Sequence, residues 1–270
     1  MRLSGLAIAA SLALAAAAVA QQAPPRLSSA PEQSVAPPVP ADPELDRCLS
    51  RWEHEMQSFQ TLALKITRVD QDKVLGVVTK YSGIAYFMKS GTGPAARNLV
   101  LLQTSRDGTN ELAEKFVCTG TYFYYFDRAT KEVQARELPR AAAGAMPDDN
   151  FLGMFGLRAG EAKRRYNLKL TNQDANFVYI EIVPRFARDK EEFVWARIVL
   201  NKKDFLPRQL QYRQPNNNEV VWDIPHGSAV VDGKMDPRWF DKPEPPPGWK
   251  FVKLPTESDA PTRTFRNNAP

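Results

Sequence analysis

The feature that most constrains the fold is a long series of strand-like runs separated by turns. Leu62, Leu64 and Ile66 alternate with polar or small residues, which is the period of a half-buried strand. Similar runs follow at 74–88, 97–103, 116–118, 121–127 and 131–138, and again at 166–170, 177–183, 193–200, 207–213 and 219–224. Gly, Asn, Asp and Pro occupy the turns between them. Successive hairpins of this kind predict one large antiparallel sheet, and a sheet of that length curls.

One amphipathic helix precedes the strands. Asp42 or Asp46 can cap a helix that runs to about Phe59. Its apolar residues recur at three- and four-residue steps and share one face; they are Leu45, Cys48, Leu49, Trp52, Met56 and Phe59. The opposite face is charged or polar. The sequence therefore predicts an α+β fold, mainly antiparallel β, with this helix lying on the curled sheet.

An apolar segment with two glycines, Asn150–Leu157, separates the two blocks of strands. It is too short to be a core helix. One interpretation is a buried loop that covers an ordinary core. The other is a movable lid over a pocket for an apolar ligand. Two interpretations are likewise open for the concave face of the curled sheet. Side chains either fill this face completely or leave a cavity that holds a lipid chain.

The two ends of the chain have distinct compositions. Residues 1–20 have the form of an export signal, with Arg2, an apolar run and the small-x-small site Ala18-Val19-Ala20. Residues 21–43 are rich in Pro and Ala and predict a disordered tether, with a protein-binding polyproline motif as the alternative. One domain is expected at 44–254 and a disordered tail at 255–270. These features predict a periplasmic protein.

The amino-acid composition argues against several classes of function. The net charge of +5 is spread over many turns rather than gathered in one block, which argues against a nucleic-acid reader. Contact with anionic lipid stays open. Only two His are present, and no nucleophile–base pair, metal-ligand spacing or cofactor motif occurs, so neither an enzyme nor a metal or cofactor site is expected. Cys48 and Cys118 are either a disulfide between helix and sheet or two buried thiols.

The order of these parts resembles the LolA-like family of periplasmic lipoprotein carriers, with its LolB and RseB relatives. Cys118–Asp127 looks like the family's glycine turn and aromatic strand, and Asn150–Leu157 is similar to its apolar lid. Phe193–Tyr212 looks like its later hairpin. Trp239-Phe240, followed by Pro245–Trp249, is similar to its closing aromatic and proline motif. The resemblance covers about 44–254.

The resemblance implies an incomplete β-barrel whose concave apolar face, covered by helices and a lid, holds the acyl chains of a lipid or lipoprotein. It implies a monomer with an inner-membrane donor and an outer-membrane acceptor as partners. An RseB-like sensing or protein-interaction module is the alternative. The expected ligand-contacting residues are Trp52, Met56, Leu64, Ile66, Tyr86, Tyr122, Tyr124, Phe151, Leu152, Met154, Phe155 and Leu157. The family's carriers latch the lid with an Arg before a Pro. Here Lys89 stands near that place, and either Arg97 substitutes for that Arg or the chain has no latch.

Overall fold

The computed structural model describes residues 42–91, 96–109, 111–138 and 158–255. The predicted export signal, nearly all of the predicted tether, the Asn150–Leu157 segment and almost all of the predicted tail lie outside the described residues, and their boundaries stay predictions.

Helix α1 spans Pro43–Ser58. Asp42 begins it, because its carboxylate accepts hydrogen bonds from the backbone N–H groups of Glu44 and Leu45 at 3.0 and 3.1 Å. Pro43 occupies the first turn, where its missing N–H has no cost. One stripe of the helix is buried, and it consists of Leu45, Cys48, Leu49, Trp52 and Met56.

Thirteen strands follow in the described ranges. In chain order they are β1 (Thr61–Asp72), β2 (Val77–Ser90), β3 (Arg97–Arg106), β4 (Leu112–Cys118), β5 (Tyr122–Asp127), β6 (Glu132–Glu137), β7 (Tyr166–Gln173), β8 (Phe177–Pro184), β9 (Trp195–Asn201), β10 (Pro207–Arg213), β11 (Glu219–Asp223), β12 (Ala229–Val231) and β13 (Lys250–Lys253). Two short helices, α2 (Ala159–Arg165) and α3 (Ala187–Lys190), flank β7 and β8, and a 3₁₀ turn spans Pro237–Phe240.

All these strands belong to one sheet, in the order β13-β6-β5-β4-β3-β2-β1-β11-β10-β9-β8-β7. Two meanders, β2–β6 and β7–β11, lie on either side of β1. The first half of β1 pairs with β12 and its second half with β11, while β2 pairs along its whole length. The described sheet is open, since β13 and β7 stand at the two ends of this order. Among the described strands only β13 joins in parallel, beside β6.

The sheet has two faces with separate cores. We call the face that carries α1 the inner face and the opposite one the outer face. On the inner face, the α1 stripe and alternate residues of both meanders form one buried cluster that includes Leu64, Phe87, Leu102, Ile180 and Trp222. A smaller cluster on the outer face contains Val117, Tyr124, Phe126, Val133 and Ala135, with Trp249 packed against it.

The mainly antiparallel sheet and most strand positions are as predicted, and the structure corrects several local details. The second strand-like run was predicted to begin at residue 74, but β1 continues to Asp72, the turn is Lys73–Gly76 and β2 begins at Val77. Gly76, which lies inside the predicted run, takes the positive φ of 66° that this turn requires. The sequence did not indicate α2, α3, β12 or β13, because each is too short to show a period.

Gly83 sits where β2 and β3 approach each other closely. A Cβ built there would lie 2.1 Å from the carbonyl oxygen of Gln103 and 2.9 Å from the Cα of Thr104. Both are backbone atoms in the middle of the sheet, so relief requires the strands to separate.

We therefore expect Gly83→Ala to lower the free energy of unfolding by about 1–3 kcal/mol through overpacking. The matched control is Gly160→Ala in α2, where the nearest atom to an added Cβ is the Arg164 guanidinium at 3.9 Å. This control should be neutral or raise stability by up to about 1 kcal/mol. Urea denaturation measures both, and equal effects at the two positions would contradict the close approach.

Candidate functional site

The half of the inner face beneath α1 is filled by side chains. Trp52 and Met56 from the helix, with Leu64 and Ile66 from β1, all belong to the inner cluster, and Trp52 is 3% exposed. The structure thus brings together these four residues, which were predicted to contact a ligand. Within the described chain, Trp52 Nε1 is buried without a hydrogen-bond partner.

A half-buried charge cluster follows directly along the inner face. Arg68 occupies the next inward position of β1 after Ile66, and its guanidinium holds Asp70 in a bidentate pair at 2.6 and 2.8 Å. Its third nitrogen donates to Glu114 Oε2 on β4 at 3.1 Å. The cation also lies 5.1 Å from the centre of the Trp222 ring and 5.4 Å from that of Tyr81. We call Arg68, Asp70 and Glu114 the inner charge cluster.

Burial and pairing act against each other in this cluster. Burial raises the pKa of Glu114, and Arg68 only partly offsets that effect. Burial by itself would lower the pKa of Arg68, but the hydrogen bonds to Asp70 and the charge of Glu114 outweigh it and raise that pKa, so the guanidinium stays charged. Burial also raises the pKa values of Tyr125 and Tyr212. The inner charge cluster therefore holds one permanent cation and one carboxyl group that is costly to ionise.

Two cavities of about 310 Å³ each lie on this side of the described sheet. The first, here the aromatic cavity, is lined by Glu114, Phe116, Phe123, Tyr125, Gln134, Arg136, Glu192 and Leu254. The second, here the hairpin cavity, is lined mostly by polar residues and includes Arg68, Asp70, Thr79, Tyr81 and Glu219, with Leu75 and Val77 at its edge. The inner charge cluster supplies residues to both cavities.

The wall of the aromatic cavity is a set of stacked rings. Phe116 on β4 lies between Phe123 and Tyr125 of β5, with ring centres 5.4 and 5.3 Å apart and planes tilted by 26° in each pair. Strand alternation puts Phe123 and Tyr125 on the inner face and Tyr122 and Tyr124 on the outer face. Gln134 and Arg136 of β6 stand opposite Tyr125 and Phe123.

Three predicted ligand residues lie elsewhere. Tyr124 is in the outer cluster and Tyr122 packs against it. Tyr86 stacks on Trp239 with ring centres 4.9 Å apart, while its neighbours Ala85 and Phe87 face the inner core. The structure therefore does not bring these tyrosines together with Trp52. Strand alternation does not by itself select Phe123 and Tyr125 for the inner face, because both phases of Tyr-Phe-Tyr-Tyr-Phe carry rings.

Lys89, predicted to latch a lid, holds the end of α1. Its ammonium donates to the carbonyl oxygens of Met56 and Gln57 at 3.2 and 2.6 Å and lies 4.6 Å from the centre of the Phe59 ring. The last turn of α1 has no basic residue of its own, so Lys89 supplies the cation that the helix C-terminus favours. Arg97 donates to the carbonyl of Ala96. The lid residues Phe151, Leu152, Met154, Phe155 and Leu157 lie outside the described residues, so the latch stays untested.

Cys48 and Cys118 are two free buried thiols, which corrects the disulfide alternative. Cys48 lies close enough to the β9–β10 turn for the positive charge of Lys202 to act on its thiol. The thiol of Cys118 donates a hydrogen bond to the carbonyl of Asn98 on β3. Cys48 lies on α1, whereas Cys118 ends β4. Burial raises the pKa of both thiols, which reduces their reactivity.

Five residues of the inner face were not predicted from the sequence, and they are Arg68, Glu114, Phe116, Phe123 and Tyr125. A signal for Arg68 was present, because it continues the inward alternation of Leu62, Leu64 and Ile66 with a charged residue. Among the described residues, no group of three or more His, Cys, Asp or Glu side chains could hold a metal ion. None of the helices in the described ranges has the length and apolar character needed to cross a membrane.

Comparisons with known proteins bear on the fold. No family model and no curated protein matches the sequence. Among solved structures, an uncharacterized conserved protein from Thermus thermophilus matches with a TM-score of 0.47 and 9% identity, over 78% of this chain and 99% of that one. A LolA superfamily protein from Nitrosomonas europaea matches with a TM-score of 0.35 and 9% identity, over 73% and 97% of the two chains. The chain resembles the LolA-like family.

A third match is a complex of two proteins. The complex of MucA and MucB from Pseudomonas aeruginosa matches with a TM-score of 0.39 and 12% identity, over 74% of this chain and 61% of that one. At these low identities and TM-scores, the matches do not indicate which ligand this chain binds. A function therefore has to be inferred from the geometry of the inner face.

The raised pKa of Glu114 has a measurable consequence for stability. Because the folded pKa lies above the unfolded value, the contribution of this group is largest below about pH 4 and is lost as the pH rises through the folded value. Glu114→Gln does not ionise. We expect the free energy of unfolding of the wild type, relative to this variant, to fall as the pH rises from about pH 4 towards neutrality. Urea denaturation across that range measures it, and a constant difference would contradict the assignment.

The position of Lys89 gives a second prediction. Lys89→Met should lower the free energy of unfolding by about 1–3 kcal/mol, because two charge-assisted hydrogen bonds to the end of α1 are lost. Lys65→Met, at an exposed position of β1, is the matched control and should change stability by less than about 0.5 kcal/mol. Thermal unfolding followed by circular dichroism compares them. Equal changes in the two variants would rule out a special role for Lys89.

Proposed function

We propose that this protein binds one acyl chain, or a similar apolar segment of a lipid or lipoprotein, in the aromatic cavity. The observation that carries the proposal is the cavity of about 310 Å³ whose wall contains the stacked rings of Phe116, Phe123 and Tyr125. Apolar walls with a few charged groups are typical of ligand pockets, and this volume is near the lower end of their range. It suits a single chain rather than several.

The distribution of polar groups suggests an orientation for the ligand. Glu114, Gln134, Arg136 and Glu192 line the same cavity as the rings. An apolar chain would pack against the rings, where each Å² of apolar surface removed from water stabilises binding by about 25 cal/mol. A polar head would lie beside Arg136. The hairpin cavity is a poorer site for a chain, since most of its lining residues are polar.

The proposal keeps the residues and the compartment that were expected from the sequence, but it changes the role of four of these residues. Trp52, Met56, Leu64 and Ile66 would support the site from the filled half of the inner face rather than contact the ligand. The lid at residues 150–157 and export through the signal at 1–20 remain part of the proposal. Donor and acceptor proteins follow if the chain acts as a carrier.

A protein-interaction module of the RseB type is the second candidate. The filled half of the inner face favours it, because the α1 stripe is buried in one cluster with side chains of the sheet and leaves less room for a ligand than an empty concave face would. On this alternative the aromatic cavity would receive a side chain of a protein partner.

Filling the aromatic cavity tests the first proposal. Gln134→Trp places an indole against Tyr125, so the affinity for an apolar fluorophore should fall by at least about tenfold, the loss expected when one well-buried apolar group is displaced. Thr79→Trp fills the hairpin cavity instead and should leave that affinity unchanged. Gln57→Trp, on the exposed face of α1, is the matched control for the added ring.

Fluorescence titration of the purified mature protein measures these affinities. Native mass spectrometry of the same preparation, before and after lipid extraction, identifies the ligand. An added mass that extraction removes and that reappears as an acylated lipid would support the carrier. A mass equal to that of the bare chain in every preparation, with no saturable fluorophore binding, would reject it in favour of the protein-interaction module.

A further inference from the structure

The β1–β2 hairpin ends in a group of exposed aliphatic side chains. Val74 is 81% exposed, Leu75 73%, Val78 55% and Val77 49%. They surround Gly76 at the tip. We call residues 73–78 the hairpin tip. The sequence predicted Val74 and Leu75 within a strand, so their exposure follows from where the turn forms.

The hairpin tip extends beyond the neighbouring strands. The pairing of β2 with β3 stops at Tyr81, opposite Arg106, and that of β1 with β11 stops at Gln71, opposite Glu219. Between these limits the strand pairs are those of β1 with β2, the last of which is Asp72–Val77, and the carbonyl of Lys80 also accepts from the N–H of Asp107 at 2.9 Å. The aliphatic side chains of the tip are therefore accessible to a binding partner at this end of the sheet.

Three backbone N–H groups of the tip have hydrogen-bond partners within the protein. The Asp72 carboxylate accepts from the N–H groups of Val74 and Leu75, both at 2.9 Å. The side chain of Asn218 accepts from the N–H of Lys73 at 3.0 Å. An unsatisfied N–H is the main cost of moving a turn into an apolar medium, and these three donors do not incur it.

We propose that the hairpin tip docks on an anionic lipid bilayer, with Val74, Leu75, Val77 and Val78 in the boundary between headgroups and acyl chains. A protein partner fits less well, since protein hot spots are rich in Trp, Tyr and Arg and the tip is purely aliphatic. Lys73, the first residue of the tip, and Lys80, just beyond its end, can reach the headgroups along their aliphatic stems. Asp72 and Glu219 lie at its base, where Lys73 pairs with Glu219 at 3.2 Å.

The charge of the chain complements such a surface. The net charge is +5, and basic residues near an anionic membrane add attraction that salt weakens. Leu75 and Val77 also line the hairpin cavity, so docking would bring one opening of the inner face to the lipid. The proposal does not depend on ligand binding in the aromatic cavity.

Co-sedimentation of the full chain with vesicles of phosphatidylethanolamine and phosphatidylglycerol tests the proposal. The double variant Val74→Ser with Leu75→Ser should bind at least about tenfold more weakly, because two apolar side chains leave the bilayer. The matched control is Val230→Ser with Val231→Ser on β12, two valines that are 54% and 47% exposed, and it should bind like the wild type. Both variants should take up the apolar fluorophore normally.

Lysine variants test the electrostatic part. Lys73→Gln with Lys80→Gln should weaken binding to the anionic vesicles and reduce its dependence on salt, with no change on phosphatidylcholine vesicles. A Leu75→Cys variant carrying an environment-sensitive dye should shift to shorter emission wavelength when vesicles are added.

Three results would overturn the proposal. They are a wild type that does not bind the anionic vesicles, tip variants that bind as well as the wild type, and a dye at residue 75 that stays in water while the protein is bound. Loss of a protein partner in the tip variants, without vesicle binding by the wild type, would assign the tip to that partner instead.

Discussion

The burial of one helix stripe against the sheet organises the rest of this structure. Helix α1 contributes Leu49, Trp52 and Met56 to the same buried cluster as the inward residues Leu62, Leu64 and Ile66 of β1, and each of these side chains is at most 5% exposed. Because β1 is also the strand on which the two meanders meet, this cluster joins both halves of the sheet to one core. Asp42 caps the first N–H groups of the helix, and Lys89 donates to its last carbonyl groups.

The same strand also ends the apolar core. One inward step beyond Ile66 is Arg68, whose charge requires Asp70 and Glu114 as partners once it is removed from water. Charged and hydrated groups do not pack as densely as aliphatic ones. The inner face therefore changes from a filled apolar half to a half that contains cavities. The stacked rings of β4 and β5 give one cavity an apolar wall, and this contrast within one sheet face is the basis of the proposed binding site.

Particular residues show which parts of the fold and of the site could be predicted from local sequence patterns. Local periodicity was sufficient for α1, for most strand positions and for the antiparallel sheet, since these depend on neighbouring residues. It failed where two phases are equally apolar, as in β5, and where a turn can form at either of two nearby places, as at 70–76. Cys48 and Cys118 show a different limit, because their separation depends on the strand order and not on the residues beside them.

The sequence by itself determined the classes of element and their order, because hydrophobic period and turn residues act over a few positions. Only the tertiary structure decided which residues share a face and a cavity. It placed Phe116 of β4 against Tyr125 of β5, joined Arg68 to Glu114 across 46 residues, and left the aliphatic tip of the first hairpin exposed. The physical reason is that strand pairing sets these contacts. A shift of one residue in register exchanges the inner and outer faces, and no local pattern specifies that choice when both faces carry apolar side chains.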